Sequence, residues 1–325
     1  MDGGAIATAL LSVRLRAVQW EAEGINSYVL EVEGGTVLPP FTAGSHLDLH
    51  VADGLVRSYS LLNDPRERGR YVIAVQNDPN SRGGSRYVHD VLRPGTVLTV
   101  GAPRNSFPLH EDAPHSVLIA GGIGITPLLS MIERLSALGR SWELHYAART
   151  LARTGFADRL ASLAGDMPGR VRFYHDGEPG GRALDMAALV HSLPTEAHLY
   201  CCGPLPMLDA FSDAASGRPD GHVHVEYFTA REQASTAGGY EVVLARSGRR
   251  VAVAPGQTML AALLEARAAV SFSCSEGICG TCETVVVSGV PDHRDMVLTD
   301  DERAANKTVM ICCSGSRTPE LVLDL

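Results

Sequence analysis

Short alternations of apolar and polar residues fill the first hundred positions of the chain. They form six β-rich runs bounded by Gly, Pro, Asn or Asp: SVRLRAVQW, SYVLEVEG, SHLDLHV, VRSYSLL, RYVIAVQ and GTVLTVG. This pattern predicts strands with one buried face, and the regular turns favour a small antiparallel barrel. One helix is predicted at about residues 85–92. We therefore expect residues 1–112 to form an antiparallel β-barrel domain.

The pattern changes near residue 115, where strand-length runs begin to alternate with helical ones. HSVLIAGG is continuously apolar, and TPLLSMIERLSAL after it has apolar residues at helical spacing. Three further strand–helix pairs follow, and HVHVEYF is the last strand. Such alternation predicts parallel βαβ units. Residues 113–230 should therefore form an α/β domain with a doubly wound sheet.

The rest of the chain begins with a polar, small-residue stretch, which predicts a linker at residues 231–239. Residues 240–325 contain strand-like runs, YEVVLA, RVAVA, ETVVVSG and ELVLDL, and one helix at 259–268. Thr258 is placed to cap that helix. The whole is a multi-domain chain with a separate C-terminal domain.

Composition narrows the classes of function. The 325 residues include 28 basic and 37 acidic side chains, and the net charge of −9 argues against nucleic-acid binding. No apolar run has the length of a membrane span, and the N-terminus does not resemble a signal peptide, so we expect a cytoplasmic protein with no membrane partner. None of the twelve histidines forms a convincing metal pair. His222 and His224 alternate on a strand, where a structural role is the commoner one.

The densest chemistry lies in CSEGICGTC, residues 274–282. Cys274, Cys279 and Cys282 have the spacing of a plant-type 2Fe–2S ferredoxin, and a fourth thiolate must come from farther along the chain. Gly277 and Gly280 let the loop backbone approach a cluster without Cβ clashes. A zinc site and three unrelated buried thiols are the alternatives. Structural zinc usually uses pairs of C-x2-C, so the spacing favours iron and sulfide.

Four stretches in this order, RSYSL, GGIGITP, CCGP and the cysteine loop with DHRDMVLTDDE, give the chain a resemblance over nearly its full length. It resembles the phthalate dioxygenase reductase family, which includes the vanillate O-demethylase reductases. The resemblance implies an FMN-binding barrel, an NADH-binding domain and a C-terminal β-grasp 2Fe–2S domain. It also implies Cys312 as the fourth ligand, with Cys313 a buried neighbour. The DHRD segment, residues 292–295, is expected to be a surface loop that supports this domain or touches a partner.

The stretch RSYSLLN is the expected flavin site. Arg57 can neutralise a phosphate, Tyr59 offers a face to the flavin ring, and Ser58 and Ser60 offer hydrogen bonds. A second phosphate contact is expected from the backbone at the start of a helix. Gly83 and Gly84 by themselves favour a plain turn before that helix, and the resemblance reverses this preference. The further residues expected to bind cofactor are Gly83, Gly84, Ser85, Ala74, Val75 and Phe228. The resemblance alone selects FMN over FAD.

The stretch AGGIGITP is the expected pyrophosphate site, since a strand precedes it and a helix follows. Gly121, Gly122 and Gly124 permit close approach of the backbone, Thr126 can cap the helix, and Pro127 fits its first position. The resemblance places Cys202, Gly203 and Pro204 where nicotinamide meets flavin, with Cys201 a buried strand thiol. Cys202 and Thr126 are the catalytic candidates.

The choice of nucleotide depends on the adenosine ribose. Asp176, after the strand RVRFYH, is placed to accept hydrogen bonds from free ribose hydroxyls. Arg149 and Arg153 could serve adenine stacking or a phosphate. Because an acidic residue suits free ribose hydroxyls better than a 2′-phosphate, Asp176 favours NADH over NADPH.

A hydride carries two electrons and a 2Fe–2S cluster accepts one, so a flavin is needed between them. We expect electrons to pass from NADH through FMN and the cluster to a separate terminal oxygenase. By resemblance this partner is a Rieske non-haem iron protein acting on an aromatic acid or a methoxyarene, and the reductase is a monomer. The alternatives are an FAD-dependent NAD(P)H reductase that feeds another carrier or hydroxylase and, more distantly, a redox sensor.

Overall fold

The computed structural model describes residues 10–325 except 33, 35, 36, 52–54, 80, 82 and 168. The chain divides into two compact units, of which the first ends at Phe228 and the second extends from Thr229 to Leu325. The predicted limits at residues 112, 230 and 239 stay predictions. Among the described residues, no helix combines the length and apolar character that crossing a bilayer requires.

The first part of the larger unit is a six-stranded antiparallel sheet. Its elements are β1 (Leu10–Ala22), β2 (Ile25–Glu31), β3 (His46–His50), β4 (Val56–Ser60), β5 (Arg70–Gln76), α1 (Gly84–Asp90) and β6 (Val97–Gly101). The strand order is β4-β3-β6-β1-β2-β5. Just beyond β4, the N–H of Leu62 donates to the carbonyl oxygen of Val72 on β5 at 3.0 Å. The sheet therefore curls towards closure, as a barrel does, although the described ladders leave β4 and β5 at its two edges.

The second part of this unit is a five-stranded parallel sheet. Its elements are β7 (Ser116–Gly121), α2 (Ile125–Ala137), β8 (Trp142–Ala148), α3 (Ala157–Ala164), β9 (Val171–His175), α4 (Met186–Ser192), β10 (His198–Cys202), α5 (Leu205–Ala215) and β11 (Val223–Glu226). The strand order is β11-β10-β7-β8-β9. From β7 the chain first adds β8 and β9 on one side and then adds β10 and β11 on the other, so the order of strand addition reverses between β7 and β10. In open α/β sheets, ligands bind at the carboxyl ends of the strands that flank such a reversal.

These two parts share one apolar core. A single buried cluster contains Ala74 from the first part together with Leu118, Ile125 and Met131 from the second. The backbone N–H of Gly44 donates to Ser130 Oγ on α2 at 3.1 Å. Because the core is continuous, the flavin and nucleotide candidates lie on one packed body.

The C-terminal unit is a mixed sheet with two short helices. Its elements are β12 (Tyr240–Leu244), β13 (Arg249–Val253), α6 (Met259–Glu265), β14 (Glu283–Ser288), β15 (Pro291–Asp292), α7 (Asp300–Ala305), β16 (Thr308–Met310), β17 (Gly315–Ser316) and β18 (Glu320–Leu323). The main order is β13-β12-β18-β14-β16, and β15 pairs with β17. Thr258 Oγ1 accepts from the N–H of Ala261 at 3.2 Å, so the predicted cap is confirmed.

The sequence pattern did not identify α7, although its start carries a readable signal. Thr299 and Glu302 form a capping box, in which each side chain accepts from the backbone N–H of the other. The combination of Thr and Glu at this spacing is typical of a helix N-terminus. It lies in the TDDE of the stretch that carried the family resemblance.

Candidate functional site

The four predicted cluster ligands converge. Hydrogen bonds link Cys274 with Cys279 and Cys312, and Cys282 with Cys312. The bonds from Cys279 and Cys312 lower the pKa of Cys274, and the backbone N–H groups of Ile278 and Glu276 act in the same direction. Donors that favour a thiolate are what a metal-binding cysteine needs. The loop and the turn after β16 thus bring together four thiols able to hold a 2Fe–2S cluster.

The loop backbone depends on its glycines. Gly277 and Gly280 have φ of +73° and +74°, in the left-handed region that favours glycine. A Cβ on Gly277 would lie 2.4 Å from Cys313 Sγ. That sulfur lies 3.7 Å from the carbonyl oxygen of Met310 and 3.8 Å from Ser314 Oγ, and it also contacts the Cys312 side chain. The packing role of Cys313 supports Cys312 as the fourth ligand, which stays a prediction.

The segment expected to be a surface loop supports the cysteine loop from within. Asp295 is buried, with 2% of its surface exposed. Its Oδ2 accepts from the N–H groups of Val297 at 3.0 Å and Leu298 at 2.8 Å. The next residue, Met296, donates its N–H to the carbonyl oxygen of Gly277 at 2.8 Å. The supporting role is as expected, but the surface placement is wrong for Asp295, because its carboxylate organises the turn.

The residues expected to bind the flavin phosphate also lie close together. A Cβ on Gly84 would lie 2.8 Å from Cγ and Nε of Arg57, so only glycine leaves room for that side chain. Gly83 precedes α1 in a left-handed conformation, and the hydroxyl of Ser85 accepts from the N–H of Asp78 at 3.2 Å. The Arg57 side chain therefore packs against the start of α1 and is a cationic group available to a phosphate there.

Strand alternation divides the RSYS motif between two faces of β4. Ser58 Oγ donates to Asp48 Oδ1 at 2.7 Å, so its hydroxyl already has a partner. Ser60 Oγ is buried and has no hydrogen-bond partner among the described residues. Burial raises the pKa of Tyr59, which keeps its phenol neutral. An unpaired buried hydroxyl fits a site completed by a bound flavin.

The remaining flavin candidates lie in less distinctive surroundings. Ala74 and Val75 are buried in β5, in two different apolar clusters. Phe228 is partly buried and ends the larger unit. Their assignment as cofactor-binding residues stays a prediction.

The two predicted nicotinamide segments pack directly against each other at the reversal between β7 and β10. A Cβ on Gly124 would lie 2.2 Å from the carbonyl oxygen of Cys202. A Cβ on Gly121 would lie 2.6 Å from Pro204 Cδ, and one on Gly203 would lie 3.1 Å from Gly121 Cα. Gly122 has a φ of +53° and open space beside it. Close packing between the two segments therefore requires glycine at 121, 124 and 203, whereas Gly122 is required by its left-handed backbone and leaves that part of the loop open to a pyrophosphate.

Two details of the helix after this loop differ from expectation. The helix α2 begins at Ile125 with Gly124 as its N-cap, so Thr126 is not the cap. The Thr126 hydroxyl instead donates to the carbonyl oxygen of Ile123 at 3.0 Å. Pro127 is the third helical residue rather than the first. Its ring is tolerated there because the N–H groups of a first turn lack intrahelical partners.

Cys202 has a neighbour that the sequence pattern did not single out. Cys202 is fully buried, and burial raises the pKa of its thiol. Its register partner on β11 is Glu226. Glu226 Oε2 is buried without a hydrogen-bond partner among the described residues, and burial raises the pKa of Glu226 to about 8. The run HVHVEYF alternates histidine with valine, and a carboxyl at the end of that strand was the only available signal. Buried, unpaired acids of this kind are candidates for functional sites.

The ribose candidates lie at the carboxyl ends of β8 and β9. Arg149 Nη1 lies 3.4 Å from Asp176 Oδ2, and both side chains are exposed. Arg153 Nη2 lies 3.1 Å from Glu23 Oε1 instead. An accessible carboxylate at this edge supports recognition of free ribose hydroxyls, and the roles of these residues stay predictions.

Comparison with known proteins agrees with this arrangement. Residues 242–316 match the model of the 2Fe-2S iron-sulfur cluster binding domain, and residues 118–213 match the oxidoreductase NAD-binding domain. Over 317 residues the chain is 51% identical to phenoxybenzoate dioxygenase subunit beta of Ectopseudomonas oleovorans, covering 98% of each chain. It is 42% identical to vanillate O-demethylase oxidoreductase of Pseudomonas sp. (strain HR199 / DSM 7063), covering 97% of this chain and all of the relative.

Solved structures give the same result. Phthalate dioxygenase reductase, described as a modular structure for electron transfer from pyridine nucleotides to [2Fe-2S], matches with a TM-score of 0.77 at 40% identity, and 98% of each chain is covered. An intact type IV self-sufficient cytochrome P450 monooxygenase matches with a TM-score of 0.83 at 40% identity. The match covers 97% of this chain but only 41% of the monooxygenase.

These matches decide several expectations. The multi-domain fold class is confirmed, as are the cofactors 2Fe–2S and NADH and the assignment as an oxidoreductase that transfers electrons, whereas FMN as the flavin stays a prediction. The cofactor sites described above fit this set: the glycine-packed loops, the Arg57 region and the four thiols each have the required chemistry. The chain belongs to the phthalate dioxygenase reductase family, which includes the vanillate O-demethylase oxidoreductases.

Proposed function

We propose that the protein is the reductase component of an oxygenase system and delivers electrons from NADH to a separate terminal oxygenase of the Rieske non-haem iron type. One observation carries the proposal: a nucleotide-binding domain and a 2Fe–2S domain occur on the same chain. A nucleotide donates electrons in pairs and a cluster accepts them singly, and FMN supplies the conversion between the two.

The role of the larger unit is to bind the flavin and NADH and to orient them relative to each other. Arg57 would neutralise the flavin phosphate, and the Ser60 hydroxyl would donate to the flavin. The backbone at Gly122, which has open space beside it, would approach the pyrophosphate of NADH, and Gly121 and Gly124 would hold the loop against the Cys202 segment. The shared core behind these loops holds the two cofactor sites in a fixed relation, which hydride transfer requires.

Cys202 and Glu226 would keep the nicotinamide region free of added negative charge. The raised pKa of Cys202 keeps it a thiol. With its pKa raised to about 8, Glu226 is mostly protonated at neutral pH. A protonated carboxyl can donate a hydrogen bond, whereas an ionised one only accepts. Thr126 would act as a positioning residue, since its hydroxyl fixes the turn at Ile123.

The partner proposal rests on the relatives. Their names include a phenoxybenzoate dioxygenase subunit and a vanillate O-demethylase oxidoreductase, so we propose an oxygenase that acts on an aromatic acid or a methoxyarene. The net charge of −9 would assist docking to a basic surface on that partner. A monomeric state and a cytoplasmic location complete the proposal.

Anaerobic stopped-flow mixing with NADH tests the internal route. We expect the flavin absorbance to bleach first and the cluster absorbance to follow in the same turnover. If the flavin bleaches while the cluster stays oxidised, the proposed route is wrong. Arg57→Ala should weaken flavin binding by roughly 10- to 100-fold, as expected for loss of a charge-assisted contact. Arg66→Ala, which removes an exposed arginine of the neighbouring loop, is the control.

Reconstitution tests the partner. The protein is mixed with NADH and the oxygenase component of the phenoxybenzoate system, or with a separate P450 haem protein. We expect substrate-dependent oxygen uptake coupled to NADH oxidation with the Rieske oxygenase. Efficient coupling to the haem protein alone would favour the hydroxylase-feeding alternative, for which the P450 match is the relevant observation.

A further inference from the structure

Three histidines lie together on the parallel sheet near its β11 edge. They are His110, in the segment after β6, His198 at the start of β10, and His224 on β11. One imidazole nitrogen from each lies within 4.8 Å of the other two. His198 Nδ1 and His224 Nε2 are 3.1 Å apart. Because three separate segments contribute, no spacing in the sequence could indicate this group.

The sheet fixes the positions of these side chains. Leu199 pairs with Val223 and Tyr200 with His224 in the parallel register. Since side chains alternate along a strand, His198 and His224 project from the same face. The backbone N–H of His110 donates to Tyr200 Oη at 2.9 Å. The His110 ring centroid lies 4.9 Å from those of His198 and His224.

The distances suit a metal ion. Zinc–nitrogen bonds of about 2.0–2.1 Å place two imidazole nitrogens of a tetrahedral site about 3.3 Å apart. The 3.1 Å separation of His198 and His224 is close to this value. His110 is exposed, so its ring can rotate to bring the third nitrogen nearer. Imidazole is a preferred ligand of zinc, copper and nickel ions.

We propose that His110, His198 and His224 form a binding site for a borderline divalent cation such as Zn²⁺, with three imidazole ligands and one open position. The site is separate from the cofactor sites and does not depend on the proposed function. It would join the segment after β6 to the sheet, so a bound cation should stabilise the larger unit. A hydrogen bond between His198 and His224, with the His110 ring packed on both imidazoles, accounts for the same positions without a metal ion, and titration with Zn²⁺ distinguishes the two explanations.

The test is calorimetric titration of Zn²⁺ into the tag-free, oxidised holoprotein at neutral pH. We expect one equivalent to bind with a dissociation constant in the micromolar range or tighter. The variants His110→Ala and His224→Ala should each weaken binding at least tenfold. His191→Ala removes an exposed histidine of α4 outside the group and serves as the matched control.

A second measurement guards against loss of folding and against binding elsewhere. Zn²⁺ should raise the thermal melting temperature of the wild type and of His191→Ala but not of His110→Ala. Iron content measured before and after titration should stay constant. The proposal is overturned if the wild type binds no Zn²⁺ below about 1 mM, or if His110→Ala/His224→Ala binds it with unchanged affinity. It is also overturned if the bound zinc replaces iron.

Discussion

The nicotinamide loops and the cysteine loop achieve their shapes in different ways. At the nicotinamide loops, two segments after neighbouring parallel strands touch backbone to backbone, and a Cβ on Gly124 would lie 2.2 Å from the carbonyl oxygen of Cys202. The cysteine loop has no regular strand or helix between Gly277 and Gly280, whose backbones are left-handed. Packing of the sheet defines the first site, whereas the second relies on a few hydrogen bonds and on the bonds that its thiols make.

This difference has a thermodynamic consequence. The loops at the sheet are fixed by the same core that stabilises the fold, so ligand binding should change their structure little. The cysteine loop and Cys312 bring four thiols together, and the binding energy of the cluster should then contribute to folding of the C-terminal unit. Substitutions at the two places should therefore differ in what they remove: nucleotide binding in one case, and both cluster and stability in the other.

The largest effect is expected at the fourth thiol. Cys312→Ser should abolish cluster assembly, lower iron and acid-labile sulfide to background, and reduce NADH-driven reduction of the oxygenase more than roughly 100-fold. Reduction of the flavin by NADH should persist, because it takes place in the other unit. Cys313→Ser is the matched control, since it changes the adjacent buried thiol and should keep the cluster. Equal iron loss in both variants would remove the distinction between the two cysteines.

A smaller effect is expected at the packed glycine of the nucleotide sheet. Gly124→Ala forces the Cys202 backbone away, and overpacking of this kind typically costs about 1–3 kcal/mol. We expect kcat/KM for NADH to fall by roughly 10- to 100-fold while the iron content stays normal. Gly217→Ala, at a glycine with nothing within 4 Å of the added methyl group, should leave kcat/KM unchanged. An unaffected Gly124→Ala variant would show that the loop is not preorganised by this contact.

The sequence predicted these two regions to different depths. Apolar spacing along α2, at Leu128, Met131, Ile132 and Leu135, indicated the helix because one buried face has a helical period. The cysteine ligands were predicted because three of them lie in one short loop. Glu226 and the histidine group were missed, since each depends on the register between strands that are distant along the chain. The burial of Asp295 has no signal in the sequence, since charged residues are usually exposed and its backbone partners become visible only in the folded turn.

Asp295 offers a way to weaken the cysteine loop without touching a thiol. Asp295→Ala removes the acceptor of the N–H groups of Val297 and Leu298, and each unmade buried hydrogen bond costs about 1–3 kcal/mol. We expect the half-life of the cluster in the presence of a chelator to shorten several-fold, as followed by visible absorbance. Asp301→Ala, at an exposed position in the first turn of α7, is the control and should behave like the wild type. Equal half-lives for the Asp295 variant and the wild type would contradict the supporting role.

The smallest effect concerns the dependence of the nucleotide sheet on pH. Burial raises the pKa of Glu226 from 4.5 to about 8, so the folded protein holds a proton that the unfolded chain releases. The stability contributed by this protonated carboxyl is present below pH 4.5 and is lost as pH rises through 8. The loss amounts to at most about 1.4 kcal/mol per pH unit.

Glu226→Gln keeps a neutral side chain at every pH and should remove this dependence of the unfolding free energy on pH. We expect the temperature of flavin release to fall between pH 6 and pH 8 in the wild type and to fall less in the variant. The C-terminal unit should show no such difference, because its cluster absorbance reports on a separate body. Parallel curves for the two proteins would mean that Glu226 is ionised in the folded state. The carboxyl would then have a charged or hydrogen-bonding partner near Cys202, and the nicotinamide loops would carry a negative charge that the geometry of β10 and β11 does not require.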